Sequence, residues 1–273
     1  ARGFAVFVFD DDDFDGNGDG FPKTLNTSGT PNTGTINFDV VGTNLDNAAL
    51  ERWNLIGNPY GTEISADSVF NALENALGTG NVNANYHIYD ESTNTFQAKA
   101  LTGSGNTIPA YQAFFIRLMN PTSPTTVTFT DSVRQTAVLK RNTEKKQIEL
   151  RLSGNDLSAH FRVEFREKAQ VGLDMYDAFR LAPLSSRFVD LFTKIEKEQL
   201  DKPVLPIKLS ESITLPLDVA TTESGSFELS GNVQNLPGDF KIVIFDRVSG
   251  QELQLREGQN LEMEVELQAN QQQ

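Results

Sequence analysis

Apolar and polar residues alternate with a period of two along several stretches of the chain, at residues 36–40, 148–152, 161–165 and 261–267. In the last stretch, three glutamates separate Leu261, Met263, Val265 and Leu267. Successive side chains of a β-strand point to opposite faces, so each stretch predicts a strand with one dry and one wet face. Such strands are typical of antiparallel sheets packed face to face. We therefore predict an all-β fold of two antiparallel β-sandwich modules, of the jelly-roll or immunoglobulin-like kind.

Other apolar runs predict further strands and a helix. Residues 4–9 are apolar throughout, which indicates a strand buried on both faces. Strands are also expected at residues 53–56, 86–89, 95–97, 113–116 and 127–129. Ser65 can cap a helix because Val69, Phe70, Leu73 and Leu77 follow at helical spacing before Gly78. We expect at most one or two short helices.

The character of the sequence changes around residues 135–146. Residues 141–146 are charged or polar and contain no core-forming side chain, as in a linker or a hairpin tip. A length of 273 residues is sufficient for two modules. We place the first module at residues 1–136, including an acidic loop, and the second at residues 137–273.

The composition narrows the classes of function. The 37 acidic side chains outnumber the 23 basic ones, and the net charge of −14 disfavours nucleic acid and anionic membranes as partners. The chain has no cysteine, which excludes disulfides, thiol catalysis and cysteine zinc sites. No apolar run approaches the roughly 18–20 residues of a membrane-spanning helix. The first residues lack the pattern of a signal peptide, and we expect a processed product or an excised piece.

Six short motifs follow one another along the chain in a fixed order. They are RGFAVFV at residues 2–8, GTPNTG at 29–34, WNLIGNPY at 53–60, IPAYQAFF at 108–115, VTFTDSVR at 127–134 and GLDMYDA at 172–178. In this order they resemble the stalk-like region that precedes the sorting domain in proteins secreted by the type IX system of Bacteroidota and relatives. Tyr111 and Ala113 stand where that family has glycines. The resemblance implies a secreted β-sandwich protein at the cell surface. It implies no one activity, because the region occurs in adhesins, hydrolases and proteins of unknown role.

The acidic loop at residues 10–20 has the spacing of a calcium loop. A D-x-D-x-N-G pattern begins at Asp13, and alternate oxygen-bearing side chains can turn toward one point while Gly18 permits the sharp bend. Position 12 is Thr24 where an EF-hand has a bidentate glutamate, and no helix flanks the loop. We predict Ca²⁺ bound by Asp11, Asp13, Asp15, Asn17 and Asp19. The alternative is a solvated acidic turn.

Catalytic chemistry finds little support in the sequence. His87 and His160 are the two histidines, both in strand-like stretches, and no nucleophile elbow or metalloprotease motif is present. Asp174 and Asp177 are the obvious carboxylate pair for glycoside hydrolysis. The resemblance places them in a structural turn, where carboxylates accept backbone N–H bonds. We therefore predict no enzymatic activity and no catalytic residue.

The sequence contains candidate residues for sugar binding and for covalent glycosylation. An aromatic platform for sugar binding could use Trp53, Tyr60, Tyr86, Tyr89 and Tyr111. Ser68 and Ser132 follow aspartates in a pattern similar to the O-glycosylation signal of Bacteroidota, and Asn26 begins an N-linked acceptor sequence. These three residues are candidate modification sites.

Three functional hypotheses follow. The first is a non-enzymatic structural or adhesive module of a secreted cell-surface protein, in which an edge strand such as residues 4–9 or 261–267 pairs with a neighbouring copy in a fibre or surface layer. The second is a carbohydrate-binding accessory module of a secreted hydrolase. The third is a hydrolase, which would need a deep pocket with two acidic groups about 5–10 Å apart.

Overall fold

The computed structural model describes residues 15–18, 20, 29–30, 32–43, 51–103, 105–134, 144–238 and 240–269, apart from the side chain of Leu261. We call residues 32–134 the N-terminal half and residues 144–269 the C-terminal half. The strands of the N-terminal half are β1 (Ile36–Gly42), β2 (Trp53–Gly57), β3 (Ile64–Ser65), β4 (Val82–Asp90), β5 (Thr95–Ala100), β6 (Thr107–Ile108), β7 (Ala113–Leu118) and β8 (Thr122–Phe129). Those of the C-terminal half are β9 (Gln147–Gly154), β10 (Leu157–Arg166), β11 (Ala178–Phe179), β12 (Val189–Ile195), β13 (Glu198–Lys202), β14 (Val204–Pro206), β15 (Leu217–Thr221), β16 (Gly225–Gln234), β17 (Ile242–Phe245), β18 (Glu252–Leu255) and β19 (Leu261–Leu267).

A four-stranded antiparallel sheet with the order β2-β7-β4-β5 organises the N-terminal half. The two-stranded sheets β1-β8 and β3-β6 complete it, and the apolar faces of these strands share one core. In β1, Phe38 and Val40 point into this core as their alternation predicts. Gly42 lies where a register shift interrupts the β1–β8 ladder, so the chain passes very close to the start of β8.

The helix α1 (Ala66–Leu77) packs on this core against β8 and β4. Ser65 caps its start, since the Ser65 Oγ accepts the Ser68 backbone N–H at 3.3 Å. Val69, Phe70 and Leu73 are buried at the predicted helical spacing. Gly78 ends the helix with a φ of 89°, a conformation that suits glycine. The predicted helix is therefore confirmed.

Two sheets face each other in the C-terminal half. The first has the order β14-β10-β9-β16-β19 and the second the order β11-β13-β12-β15. All pairs are antiparallel except β10–β14, which is parallel. The hairpin β17–β18 also packs on this second core, through Leu255 and the half-buried Ile242 and Ile244.

The structure confirms the all-β, sandwich-like fold, and the described residues contain one α-helix. Within these mainly antiparallel sheets, β10–β14 is a parallel pair. The predicted strand at residues 4–9 lies outside the described residues. So do residues 135–143, and the boundary between residues 136 and 137 stays a prediction. No helix in the described part of the chain has the length and apolar character needed to cross a membrane.

Candidate functional site

Two of the five predicted calcium ligands lie in the described residues. Asp15 and Asn17 are exposed, and the Asn17 backbone N–H donates to Asp15 Oδ1 at 2.8 Å, as in a short Asx turn. Asp11, Asp13 and Asp19 lie outside the described residues. Over the ranges that the structure describes, no group of three or more His, Asp or Glu side chains is placed to hold a metal ion. The calcium site stays a prediction.

The candidate glycosylation residues differ in their surroundings. Ser132 is exposed in a single 3-10 turn, Asp131–Val133, and its Oγ shares a 2.7 Å hydrogen bond with Thr130 Oγ1. Ser68 is half-buried in the first turn of α1. Asn26 lies outside the described residues. Ser132 is thus the more accessible of the two described candidates.

The pair Asp174 and Asp177 shapes a turn. Asp174 accepts the backbone N–H groups of Gln170 and Tyr176 at 2.9 and 2.7 Å. Asp177 accepts those of Asp174 and Val204 at 2.8 and 2.7 Å. Burial raises the pKa of Asp177 to about 6, against the lowering effect of these two bonds. All four carboxylate oxygens are therefore engaged with the backbone.

The five aromatic residues do not form one exposed platform. Tyr60 and Tyr86 are buried, and Trp53 is half-buried with its ring edge against His87, 5.0 Å between centroids. Tyr89 and Tyr111 are exposed. Tyr89 borders a shallow groove of about 360 Å³ beside the turn between β4 and β5, together with Asp90, Gln97 and Lys99.

The most unusual feature of the molecule is a buried polar junction between its two halves. It begins with β4, which is buried on both faces. Val82, Ala84 and Tyr86 point into the first core, whereas Asn83, Asn85 and His87 form the opposite face. The polar face is covered by the C-terminal half, so three side chains that would ordinarily face water are almost fully buried.

Asn83 and Asn85 fasten the C-terminal half through its backbone. Asn83 Nδ2 donates to the carbonyls of Met175 and Asp177 at 3.1 and 2.8 Å. Asn85 Nδ2 donates to the carbonyl of Tyr176 at 2.9 Å. The Ala84 backbone N–H adds a bond to the Met175 carbonyl at 2.8 Å. The GLDMYDA turn is therefore held by hydrogen bonds from β4.

Charged side chains complete the contact. Arg117, 2% exposed on β7, donates from Nη2 to both carboxylate oxygens of Glu198 on β13, and its guanidinium stacks 3.8 Å over the Phe179 ring. Arg52 reaches the same Glu198 at 3.1 Å. Lys202 Nζ donates to Asn85 Oδ1 at 2.9 Å and lies 3.4 Å from Glu164.

The centre of the junction holds two further acids and a histidine. Asp190 on β12 accepts from Arg180 Nε at 2.6 Å. Asp201 Oδ2 lies 3.7 Å from His87 Nε2, which is too long for a hydrogen bond. Within the described residues, Asp201 Oδ1 and both His87 ring nitrogens are buried without a hydrogen bond of ordinary length. Buried polar atoms usually have partners, so this pair stands out from its neighbours.

Burial controls the protonation of these groups. It raises the pKa of Asp201 to about 8, against the opposing charge of Arg180. It also raises the pKa of Asp190 to about 7, with the charge of Asp201 adding to the effect and Arg180 opposing it. Burial and the charge of Lys202 lower the pKa of His87 to about 3, with a weaker opposing effect of the Phe179 backbone. The neutral forms of His87 and Asp201 are thus favoured at neutral pH.

The space at this centre is small. Asp190, Asp201 and Lys202 border a cavity of about 30 Å³, which is also lined by β5 and by His160 and Arg162 of β10. That volume holds two or three water molecules, which need roughly 10–15 Å³ each. A sugar ring does not fit. The junction can hold and exchange protons, but the pair of acids at its centre has no room for a glycosidic substrate.

Of the polar residues in the junction and its turn, we considered His87, Asp174 and Asp177 from the sequence and missed the others. The sequence of β4 alternates apolar and polar side chains, which is also the pattern of a strand with one face in water, so it gave no signal of the junction.

A family comparison covers most of the chain. The family model of a domain of unknown function, DUF8693, matches residues 15–259. The chain belongs to the DUF8693 family. Comparison of this DUF8693 chain with curated proteins and with solved structures gave no match. The matched range includes the N-terminal half, the C-terminal half up to residue 259 and the whole junction.

Proposed function

We propose that this DUF8693 chain is a non-enzymatic structural or adhesive segment of a secreted cell-surface protein, in which the junction fixes the two β halves in one orientation. The observation that carries the proposal is the buried contact of Arg117 and Arg52 with Glu198, joined by the amide bonds of Asn83 and Asn85. Contacts between domains of one chain are usually exposed and mobile. A buried network of charges instead requires one precise arrangement, because a displaced partner leaves an uncompensated charge.

The secreted, cell-surface setting rests on the resemblance of the ordered motifs to the type IX cargo region. The acidic composition and the predicted calcium loop suit the same setting. Assembly into a fibre or surface layer is supported by β19, the outermost described strand of its sheet, whose other edge has no described partner strand. An open strand edge can pair with a strand of a neighbouring copy.

The rigidity is tested on the whole chain with two spin labels. Because the chain has no cysteine, Ser123→Cys and Val248→Cys place one label on an exposed position of each half. We expect one narrow distance distribution, broadened by Glu198→Ala and unchanged by Asp218→Ala, which removes an exposed partner of Lys194. A broad distribution in the parent pair would contradict the proposal.

Assembly is tested separately. Electron microscopy of the secreted material and sedimentation at high concentration with calcium are expected to show ordered oligomers. A protein that stays monomeric under these conditions, and in which no strand edge meets another copy, would exclude the fibre.

A second candidate function is carbohydrate binding by an accessory module of a secreted hydrolase. The observation that favours it is the groove beside exposed Tyr89, where an aromatic ring adjoins Asp90, Gln97 and Lys99. A glycan array tests it, with Tyr89→Ala expected to abolish any signal and Tyr111→Ala, an exposed tyrosine that does not line the groove, as the matched control. An array without signal would remove this candidate.

A further inference from the structure

His87 and Asp201 differ from the charged pairs around them, because no hydrogen bond joins these two side chains. The buried charges around them have opposite partners: Arg117 with Glu198, Arg180 with Asp190, and Lys202 with Glu164. Among the described ion pairs, Asp201 enters one, and that one is with His87. His87 is fully buried, and the Asp201 side chain is 15% exposed.

The neighbourhood of the pair contains charges from several elements. Asp190 from β12, Lys202 from β13, and His160 and Arg162 from β10 line the cavity beside Asp201. The charge of Arg180, beyond β11, acts on Asp201, and that of Lys202 acts on His87. Glu164 of β10, Glu198 of β13 and Arg117 of β7 lie in the same junction. Apart from His160, which lies 3.9 Å from Glu149, each of these has an oppositely charged partner at 3.4 Å or less. An ionised Asp201 would therefore be a largely buried negative charge, stabilised by the Leu181 backbone and by Arg180, a cation already paired with Asp190.

We propose that His87 and Asp201 together hold one proton while the junction is closed, and that loss of this proton loosens the contact between the two halves. The inference rests on the fixed junction of the proposed function and adds its regulation by pH. The geometry that supports it is the 3.7 Å approach of the two side chains, their burial, and the small cavity that adjoins Asp201.

The direction of the pH dependence follows from the number of protons that His87 and Asp201 hold in the open and in the closed junction. In an open junction the two side chains reach water and titrate near about 3.9 and 6.5. Between these values the open pair also holds one proton in total, so the pair adds no pH dependence to closing. Above about pH 6.5 the open pair holds none, whereas the closed pair keeps its proton up to about pH 8, the raised pKa of Asp201. Closing then takes up a proton and weakens with rising pH, by about eightfold between pH 6.5 and 8.

Two other acids at the junction do not account for this window. The pKa of Asp177 is raised to about 6, so most of its titration lies below the window. The pKa of Asp190 is raised to about 7, in part by the charge of Asp201. A protonated Asp201 removes that contribution and leaves burial, which raises the pKa of Asp190, opposed by the charge and hydrogen bond of Arg180, which lower it. Asp201, with the higher pKa, is the group that keeps the proton.

Hydrogen exchange of the Ala84 amide measures opening directly, because this N–H donates across the junction to the Met175 carbonyl. After correction for the intrinsic exchange rate, we expect its protection to fall about eightfold from pH 6.5 to 8. Amides of β9, the central strand of its sheet, serve as the internal reference and keep their protection.

Two matched variants identify the group responsible. Asp201→Asn cannot ionise, so the protection of Ala84 is expected to be flat over the same range. Asp218→Asn removes an exposed carboxylate of the same half and is expected to keep the eightfold fall. Should Asp201→Asn fail to fold, His87→Gln decides. Without the imidazole the open junction holds no proton above about pH 3.9, so protection should already fall between about pH 5 and 6.5, where the parent chain is flat. A His87→Gln profile identical to that of the parent chain would overturn the pair.

The outcomes separate the two proposals. A parent chain whose Ala84 amide is protected equally at both pH values, or a fall that persists in Asp201→Asn, overturns the pH dependence alone. An Ala84 amide that is unprotected already at pH 6.5 overturns the fixed junction and the inference with it.

Discussion

Arg117 Nη2 lies 3.0 and 2.9 Å from the two carboxylate oxygens of Glu198, although 81 residues separate them in the sequence. Arg117 is on β7 of the N-terminal half and Glu198 is on β13 of the C-terminal half. The Arg52 guanidinium shares the same carboxylate. Removal of Glu198 would leave two neighbouring guanidinium groups in a buried place without their common anion.

Glu198→Ala is therefore expected to destabilise the chain by about 3–5 kcal/mol, the usual cost of removing one partner of a buried ion pair. Urea unfolding followed by fluorescence of Trp53, which lies on β2 beside His87, measures it. The control is Asp218→Ala, whose exposed pair with Lys194 at 3.0 Å is worth less than about 1 kcal/mol. Equal losses in the two variants would show that Glu198 does not organise the junction.

Asn83→Ala tests the amide fastening of the turn at residues 172–178. The substitution removes the donor to the Met175 and Asp177 carbonyls, each of which keeps one other bond. It also removes Asn83 Oδ1, which accepts the Asn85 backbone N–H at 3.0 Å, and we expect a loss of about 1–3 kcal/mol, as for a buried polar group that loses its partner. Limited proteolysis at this turn should become faster, whereas Asn94→Ala, at a turn outside the junction, should leave the rate unchanged.

Gly42→Ala tests the close approach of β1 and β8. A Cβ at this position would lie 2.5 Å from the Asn120 carbonyl oxygen and from the Thr122 nitrogen, both backbone atoms that cannot rotate away. Backbone displacement in a packed region costs about 1–3 kcal/mol. Thermal unfolding measures the loss, and Gly172→Ala, where a Cβ meets nothing within 4 Å, is expected to be nearly neutral. A neutral Gly42→Ala would mean that the bulge is not as tight as the structure has it.

Calcium binding to the loop at residues 10–20 predicts a dependence of the melting temperature on the cation. A ligand that binds the folded chain stabilises it by about 2.7 kcal/mol at a hundredfold excess over the dissociation constant. Melting with millimolar calcium should therefore occur at a higher temperature than melting with chelator, and Asp13→Asn should reduce the difference. Magnesium is the control ion, because it needs a smaller octahedral site. Identical melting in calcium and chelator would count against the site.

The pattern of the sequence was sufficient for local structure. Period-two alternation predicted β1, β9, β10 and β19, because neighbouring side chains of a strand have opposite surroundings. Ser65 and Gly78 predicted the ends of α1, because capping depends on residues close in the chain. The resemblance to the type IX cargo region implied a turn in which Asp174 and Asp177 accept backbone N–H groups, and the structure shows these bonds.

The junction could not be predicted in this way. The sequence predicted the hairpin that contains His87 but not that the face formed by Asn83, Asn85 and His87 is covered by another sheet. Which sheet covers a strand face depends on how distant segments pack, and a polar face of alternating residues is the same in sequence whether water or protein meets it. The partnership of Arg117 with Glu198, and the isolation of Asp201 beside His87, follow from that packing alone. The sequence by itself determined the strands, the helix and the acidic character of this protein, since these depend on near neighbours and composition. Tertiary structure decided which charges are buried together and which of them lacks a compensating partner.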